Sequence, residues 1–198
     1  MTTDLSQDLS QAQADMRFGY FSGASGMLAS SIAWLCAAVV SIQASPKQAV
    51  WVLFIGGMLI HPAGVLISKL CGRPGNHSKG NPLGSLAWAT TLWLIFSLPL
   101  AYAASLLHIE WFFPAMLLVI GGRYLVFSSL FGLRIFWACG LVLAGAGYFL
   151  GQAKASPSLS AFSGAAIEAA FAAAIFVLHR HEVIADNSFK PKPLRGSA

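Results

Sequence analysis

The chain has 198 residues, of which 57% are hydrophobic and 10% charged. A soluble domain carries about a quarter charged residues, so too few charges remain here to cover a water-facing surface, and lipid is the expected solvent. The formal net charge of +5 does not point to nucleic acid, because the cations cluster at the ends of apolar runs and form no basic face.

Residues 1–17 form a polar N-terminal segment. Its first fifteen residues are polar and acidic, whereas a signal peptide opens basic and then turns apolar. The first apolar run is therefore expected to stay in the membrane. Six apolar segments follow, at about 18–42, 48–70, 82–107, 111–130, 131–152 and 159–178. Each approaches the ~20 residues that a helix needs to cross ~30 Å of hydrocarbon. Inside lipid every backbone amide must find its partner within the chain, and the runs lack the alternation of a membrane barrel. The expected fold is all-α, a polytopic transmembrane bundle of six helices over residues 18–180.

Local signals agree with that parsing. Ala44-Ser45-Pro46 separates the first two segments. Gly72 with Pro74-Gly75 stops the second, since glycine tolerates a left-handed cap and proline cannot continue a helix. Asn81 then Pro82 reads as a cap acceptor followed by a residue with no amide hydrogen to leave unpaired. The junction near 128–134 is open to two readings, two helices or one bent element. Residues 181–198 are expected to be a disordered, solvated basic tail.

Positive charge sets the expected orientation. With the N-terminus inside, Arg17, Lys69, Arg73, Lys79, Arg134, Arg180, Lys190, Lys192 and Arg195 are cytoplasmic, against Lys47 and Lys154 outside, with Arg123 inside the membrane. That bias places both termini in the cytoplasm. Small residues recur at every fourth place, at Ser22, Gly26 and Ser30, at Gly147 and Gly151, and at Ala161, Ala165, Ala169 and Ala173. Such stripes let helix backbones approach closely and are expected to face the bundle. Ile55-Gly56-Gly57 and Ile120-Gly121-Gly122 hint at an internal repeat, with the first two helices matching the third and fourth.

Gly56-Gly57, Pro62 and Leu66-Ile67-Ser68-Lys69-Leu70 are followed by the turn Lys79-Gly80-Asn81-Pro82-Leu83-Gly84, with Trp111, Pro114 and Ile120-Gly121-Gly122 further on. In these stretches the chain resembles a family of small bacterial integral membrane proteins of unknown function. The likeness covers about two thirds of the chain and leaves out the first and sixth helices. It implies a compact helical bundle and supplies no activity.

Three side chains break the apolar background: His61, Arg123 and Glu168. A charge at the bilayer centre costs about 2.5–3.5 kcal/mol on the insertion scale, so such residues usually face a bundle interior or a water-filled cavity. Counted from the outer helix ends, His61 lies ~20 Å deep, Arg123 ~18 Å and Glu168 ~14 Å. The first reading is a central polar pocket of His61, Arg123 and Glu168, with Arg123 reaching Glu168 and Glu168 as a protonatable switch for a small-molecule substrate. The second is structural: Arg123 snorkels to the headgroups, Glu168 bonds between helices, and His61 bridges to a carbonyl freed by Pro62. The function follows the same division, a small-solute transporter or permease-like protein against a scaffold or accessory subunit.

Glycine-rich phosphate loops, zinc-ligand sets and nucleophile elbows are absent from the sequence, so no enzyme and no cofactor are expected. Cys36, Cys71 and Cys139 are isolated and give no disulfide framework, and Cys71 with His77 is too small a set for a metal. His108 and Glu110 are a commonplace turn pair. Trp34, Trp51, Trp88, Trp93, Trp111 and Trp137 are expected mainly as an interfacial belt. The partners expected are the lipid bilayer and a small solute, and the oligomeric state is left open.

Overall fold

A computed structural model describes residues 2–188, with side chains for residues 8–178. Among them are seven α-helices: α1 (Thr2–Tyr20), α2 (Ala24–Gln43), α3 (Pro46–Leu70), α4 (Leu83–Leu107), α5 (Phe112–Phe131), α6 (Ile135–Gln152) and α7 (Pro157–Ser188). Six stretches are long and apolar enough to cross a membrane. The expected all-α fold stands, with six helices long and apolar enough to cross a membrane, and a polar helix is added in front of them.

That addition corrects the expected first segment, which began near residue 18. The apolar stretch from Asp8 to Gln43 has 36 residues, far more than one crossing needs. It breaks at Phe21, Ser22 and Gly23, whose φ values of 53°, 54° and 84° are all left-handed. A left-handed turn costs a non-glycine residue roughly 1–2 kcal/mol. Packing holds it: the Phe21 ring lies 4.8 Å from that of Phe176, Ser22 is buried, and a Cβ on Gly23 would fall 2.9 Å from the Phe131 ring. The crossing part is therefore α2, and α1, with Asp8, Asp15 and Arg17, lies beyond it at one end of the bundle.

The polar N-terminal segment is helical because it carries one narrow apolar stripe. Ala12 and Met16, four residues apart, are buried, and Tyr20 packs against the same core. Its polar groups supply what neighbouring elements lack. Gln13 Nε2 donates to the Ser129 carbonyl at 2.8 Å and Arg17 Nη1 to the Phe131 carbonyl at 2.6 Å, satisfying carbonyls at the C-terminus of α5 that have no partner within the helix. Asp15 accepts from Ser78 N, Ser78 Oγ and Asn81 Nδ2 at 2.9, 2.8 and 2.7 Å. The Asn81 bond, foremost, together with Ser78, holds the Asp15 carboxyl below the usual carboxylate range. Asn81 Nδ2 also donates to the Ala12 carbonyl, and its Oδ1 accepts from Leu83 N at 2.9 Å; the N-cap of α4 is Pro82, one residue after the expected Asn81. Tyr20 Oη meets His77 Nδ1 at 3.0 Å. α1 thus straps the 71–82 loop to the end of α5.

Across the membrane α2 is the central helix, packed on α3 and on α7, while α5 pairs with α6 and, less extensively, with α4. α3 starts as expected, with Ser45 Oγ accepting from Gln48 N at 3.2 Å and Pro46 in the first turn, and runs unbroken through Pro62. α5 and α6 are separate helices, parted at Gly132 (φ 67°). Their backbones nearly touch: a Cβ on Gly121 would lie 2.7 Å from the Gly140 carbonyl oxygen, and one on Gly140 2.6 Å from that of Gly121. The repeat does not extend to packing, since Gly56 of α3 meets Ala33 of α2 whereas Gly121 of α5 meets α6 and not α4.

Two further expectations change. The alanine stripe of α7 is buried at Ala161 and Ala165 but exposed at Ala169 and Ala173, because a spacing of four drifts off a face that repeats every 3.6 residues. The buried face runs instead through Ala161, Ala165, Glu168, Ala172 and Ile175. α7 also continues to Ser188, into the first part of the expected tail, while residues 189–198 lie outside the described residues.

Candidate functional site

The 3.6-residue repeat on α7 turns Glu168 inward with its alanine neighbours, and Glu168 is 0% exposed. From α5 the Tyr124 hydroxyl donates to Glu168 Oε1 at 3.0 Å. Tyr124 is fixed in turn by aromatic packing, stacked on Phe136 at 6.0 Å and edge-on to Phe127 at 5.5 Å. From α2 the Ser30 side chain flanks the carboxyl, and the next residue, Ser31, donates to the Ala165 carbonyl at 2.9 Å. Glu168 Oε2 has no hydrogen-bond partner among the described residues.

Arg123 is adjacent to Tyr124 in sequence but, one residue around the helix, points elsewhere. Its Nη2 donates to Thr91 Oγ1 of α4 at 3.3 Å, and its guanidinium lies 5.1 Å from the centroid of the Phe127 ring. It is half-buried, and its Nε has no partner among the described residues. Arg123 and Glu168 are within electrostatic reach of each other without forming an ion pair of 4.0 Å or less. His61 sits on the exposed face of α3, between Ile60 and Ala63, which line an apolar groove of about 350 Å³ against α2. The structure thus gathers Glu168 and, less directly, Arg123 around α5, and leaves His61 on the outside of the bundle.

Two residues of this neighbourhood carry no mark in the sequence. Tyr124 is an ordinary aromatic in an apolar run, and Ser30 one of several small residues in α2. Trp34, expected with the interfacial tryptophans, is fully buried, 6.1 Å from the Phe113 ring and pressed on Gly164. His77 is engaged with Tyr20, and no group of three or more metal-binding side chains occurs among the described residues. His108 Nδ1 and Glu110 Oε1 pair at 3.5 Å, at the end away from α1.

An interhelical hydrogen bond in a membrane protein is worth about 0.6 kcal/mol on average. A buried polar atom without a partner costs about 1–3 kcal/mol. The Glu168 carboxyl has two hydroxyls at hand, Tyr124 of α5 and Ser30 of α2, and its Oε2 has no partner of ordinary hydrogen-bond geometry among the described residues.

Comparison with known proteins bears on the whole chain. The model of one family of unknown function, DUF7010, matches residues 9–178. The chain belongs to the DUF7010 family. That match takes in the first and sixth membrane segments, which the likeness seen in the sequence left out, and begins within α1. No curated protein matches this DUF7010 chain, and no solved structure does.

Proposed function

We propose that this DUF7010 protein is a small-solute transporter or permease-like protein of a bacterial inner membrane, with both termini cytoplasmic and Glu168 as its protonatable group. The observation that carries this reading is a fully buried mid-span carboxyl with one oxygen bonded to Tyr124 and the other without a partner. An ionisable side chain inside a membrane is a functional site by default, and the free oxygen leaves Glu168 able to take a partner from outside the chain. Arg123 provides the neighbouring positive charge. The orientation draws on Arg17, Lys69, Arg73, Lys79 and Arg134, all at the end that carries α1, against Lys47 and Lys154 at the other. The reading is of a carrier and not of an enzyme.

Flux of candidate solutes into proteoliposomes under a pH gradient tests it. Wild type is expected to accumulate a solute and Glu168→Gln to lose at least nine-tenths of that accumulation; equal flux in both would reject Glu168 as the coupling group. A tag at either terminus reached by a membrane-impermeant reagent from the periplasm would reverse the orientation. The alternative, a scaffold or accessory subunit, draws on the apolar groove between α2 and α3, which suits a partner's helix, and predicts no flux together with a co-purifying partner.

A further inference from the structure

Four buried side-chain atoms have no hydrogen-bond partner among the described residues: Trp34 Nε1, Arg123 Nε, Ser160 Oγ and Glu168 Oε2. Ser160 and Glu168 lie eight residues apart on α7, with Trp34 of α2 packed over Gly164 midway between them, and Trp34, Ser160 and Glu168 are each 0% exposed. Their order along α7 is continuous. Ser160 lies in the first turn of α7, at the bundle end opposite α1. The Trp34 indole lies one turn further in, over Gly164, where a Cβ would meet it at 2.8 Å. Ser31 and Ser30 follow on α2, opposite Ala165 and Glu168. From Ser160 to Glu168 is about 12 Å along the helix axis.

Other hydroxyls in the spans show what is unusual here. Thr91, Ser97 and Ser163 each donate to the carbonyl four residues back on their own helix, at 3.1, 2.8 and 2.9 Å. Ser160 makes no such bond. Buried polar atoms without partners call for ordered water or an ion, and here they fall in a line that ends on a carboxyl.

We propose that the α2–α7 seam is the route by which Glu168 exchanges protons with the membrane face opposite α1, with Ser160 as the relay at its mouth and Trp34 as its constriction. The inference rests on the reading of Glu168 as protonatable. A serine hydroxyl both donates and accepts, so it passes a proton along a chain of waters; an indole N–H only donates, so Trp34 anchors a water without relaying. About four waters at hydrogen-bond spacing cover the distance. The groups that face Glu168 from the packed helices are Tyr124 and Arg123 of α5, Cys139 of α6 and Ser30 of α2. Towards α1 the way is closed by rings: Tyr124 on Phe136, Phe136 on Phe131 at 5.4 Å, and Phe21 on Phe176.

The test is the infrared carboxyl signal of Glu168, identified as the difference between wild type and Glu168→Gln, in vesicles sorted by orientation and given a pH step on one side. The signal is expected to follow a step on the face opposite α1. Ser160→Val is expected to slow it at least tenfold, and Trp34→Ala, which removes the constriction, to speed it. A signal that follows the α1 face, or one indifferent to Ser160→Val, overturns the route and leaves the role of Glu168 standing. No response from either face overturns the protonatable reading, and the route with it.

Discussion

At the α1 end, Asp15 takes three hydrogen bonds from Ser78 and Asn81, and Asn81 gives and takes two more. Around Glu168 the carboxyl meets the Tyr124 and Ser30 hydroxyls, while its Oε2 and the side-chain polar atoms of Trp34 and Ser160 have no partner among the described residues. The first network is saturated although water is at hand to replace any bond it lost. The second is unsaturated where lipid offers no replacement, and each orphan costs most. Saturation at the membrane end serves to position α1 and the 71–82 loop; Glu168 Oε2, Trp34 Nε1 and Ser160 Oγ have no partner among the described residues.

The largest effect that sharpens this contrast is expected from Asn81→Ala. It removes two bonds to α1 and the one that starts α4, a loss of about 2–3 kcal/mol at roughly 1 kcal/mol each. Denaturant unfolding in detergent should show that loss, and hydrogen exchange should rise through residues 8–20 while α2 stays protected. Unchanged exchange in that segment would mean the strap is held by something other than this network.

A smaller effect is expected on acidification. The Asp15 carboxyl is held below its ordinary range, chiefly by Asn81, so its contribution is complete above the unfolded value near 3.9 and is lost as pH falls through the lower folded value. The Ser78 amide, measured against amides of α2, should lose protection only in that acid window, and Asp15→Asn should remove the dependence. The smallest effect is expected from Ser160→Ala, within about 0.5 kcal/mol of wild type, because the deleted hydroxyl bonds no other described group of the chain. A cost above 1 kcal/mol would make Ser160 part of a satisfied network and dissolve the contrast.

The membrane-crossing helices were readable because their signals are local: the length of each apolar run, Ser45-Pro46 before α3, Gly72 after it, and Asn81-Pro82 before α4. α1 was not, because what makes it a docked helix lies 57 to 116 residues away, at His77, Ser78, Asn81, Ser129 and Phe131. The break at Phe21–Gly23 looked like continuous apolar sequence, since only packing against Phe131, Phe136 and Phe176 makes left-handed phenylalanine and serine tolerable. Glu168 and Arg123 stood out as charges, but depth along a helix is legible where azimuth is not. Thus His61, at the right depth, faces outward, and Arg123 turns to Thr91 while its neighbour Tyr124 meets Glu168. Tyr124 and Ser30 gave no signal, because neither residue type is unusual in a membrane helix.

The docking of α1 also bears on how the protein is made. α1 is made before every element it bonds, and the last of its partners to be synthesised are Ser129 and Phe131. Its contacts with the 71–82 loop can form once α3 is made, but the last of its bonds must wait until four apolar segments, α2 to α5, have been delivered. Biogenesis of this chain therefore closes at its beginning.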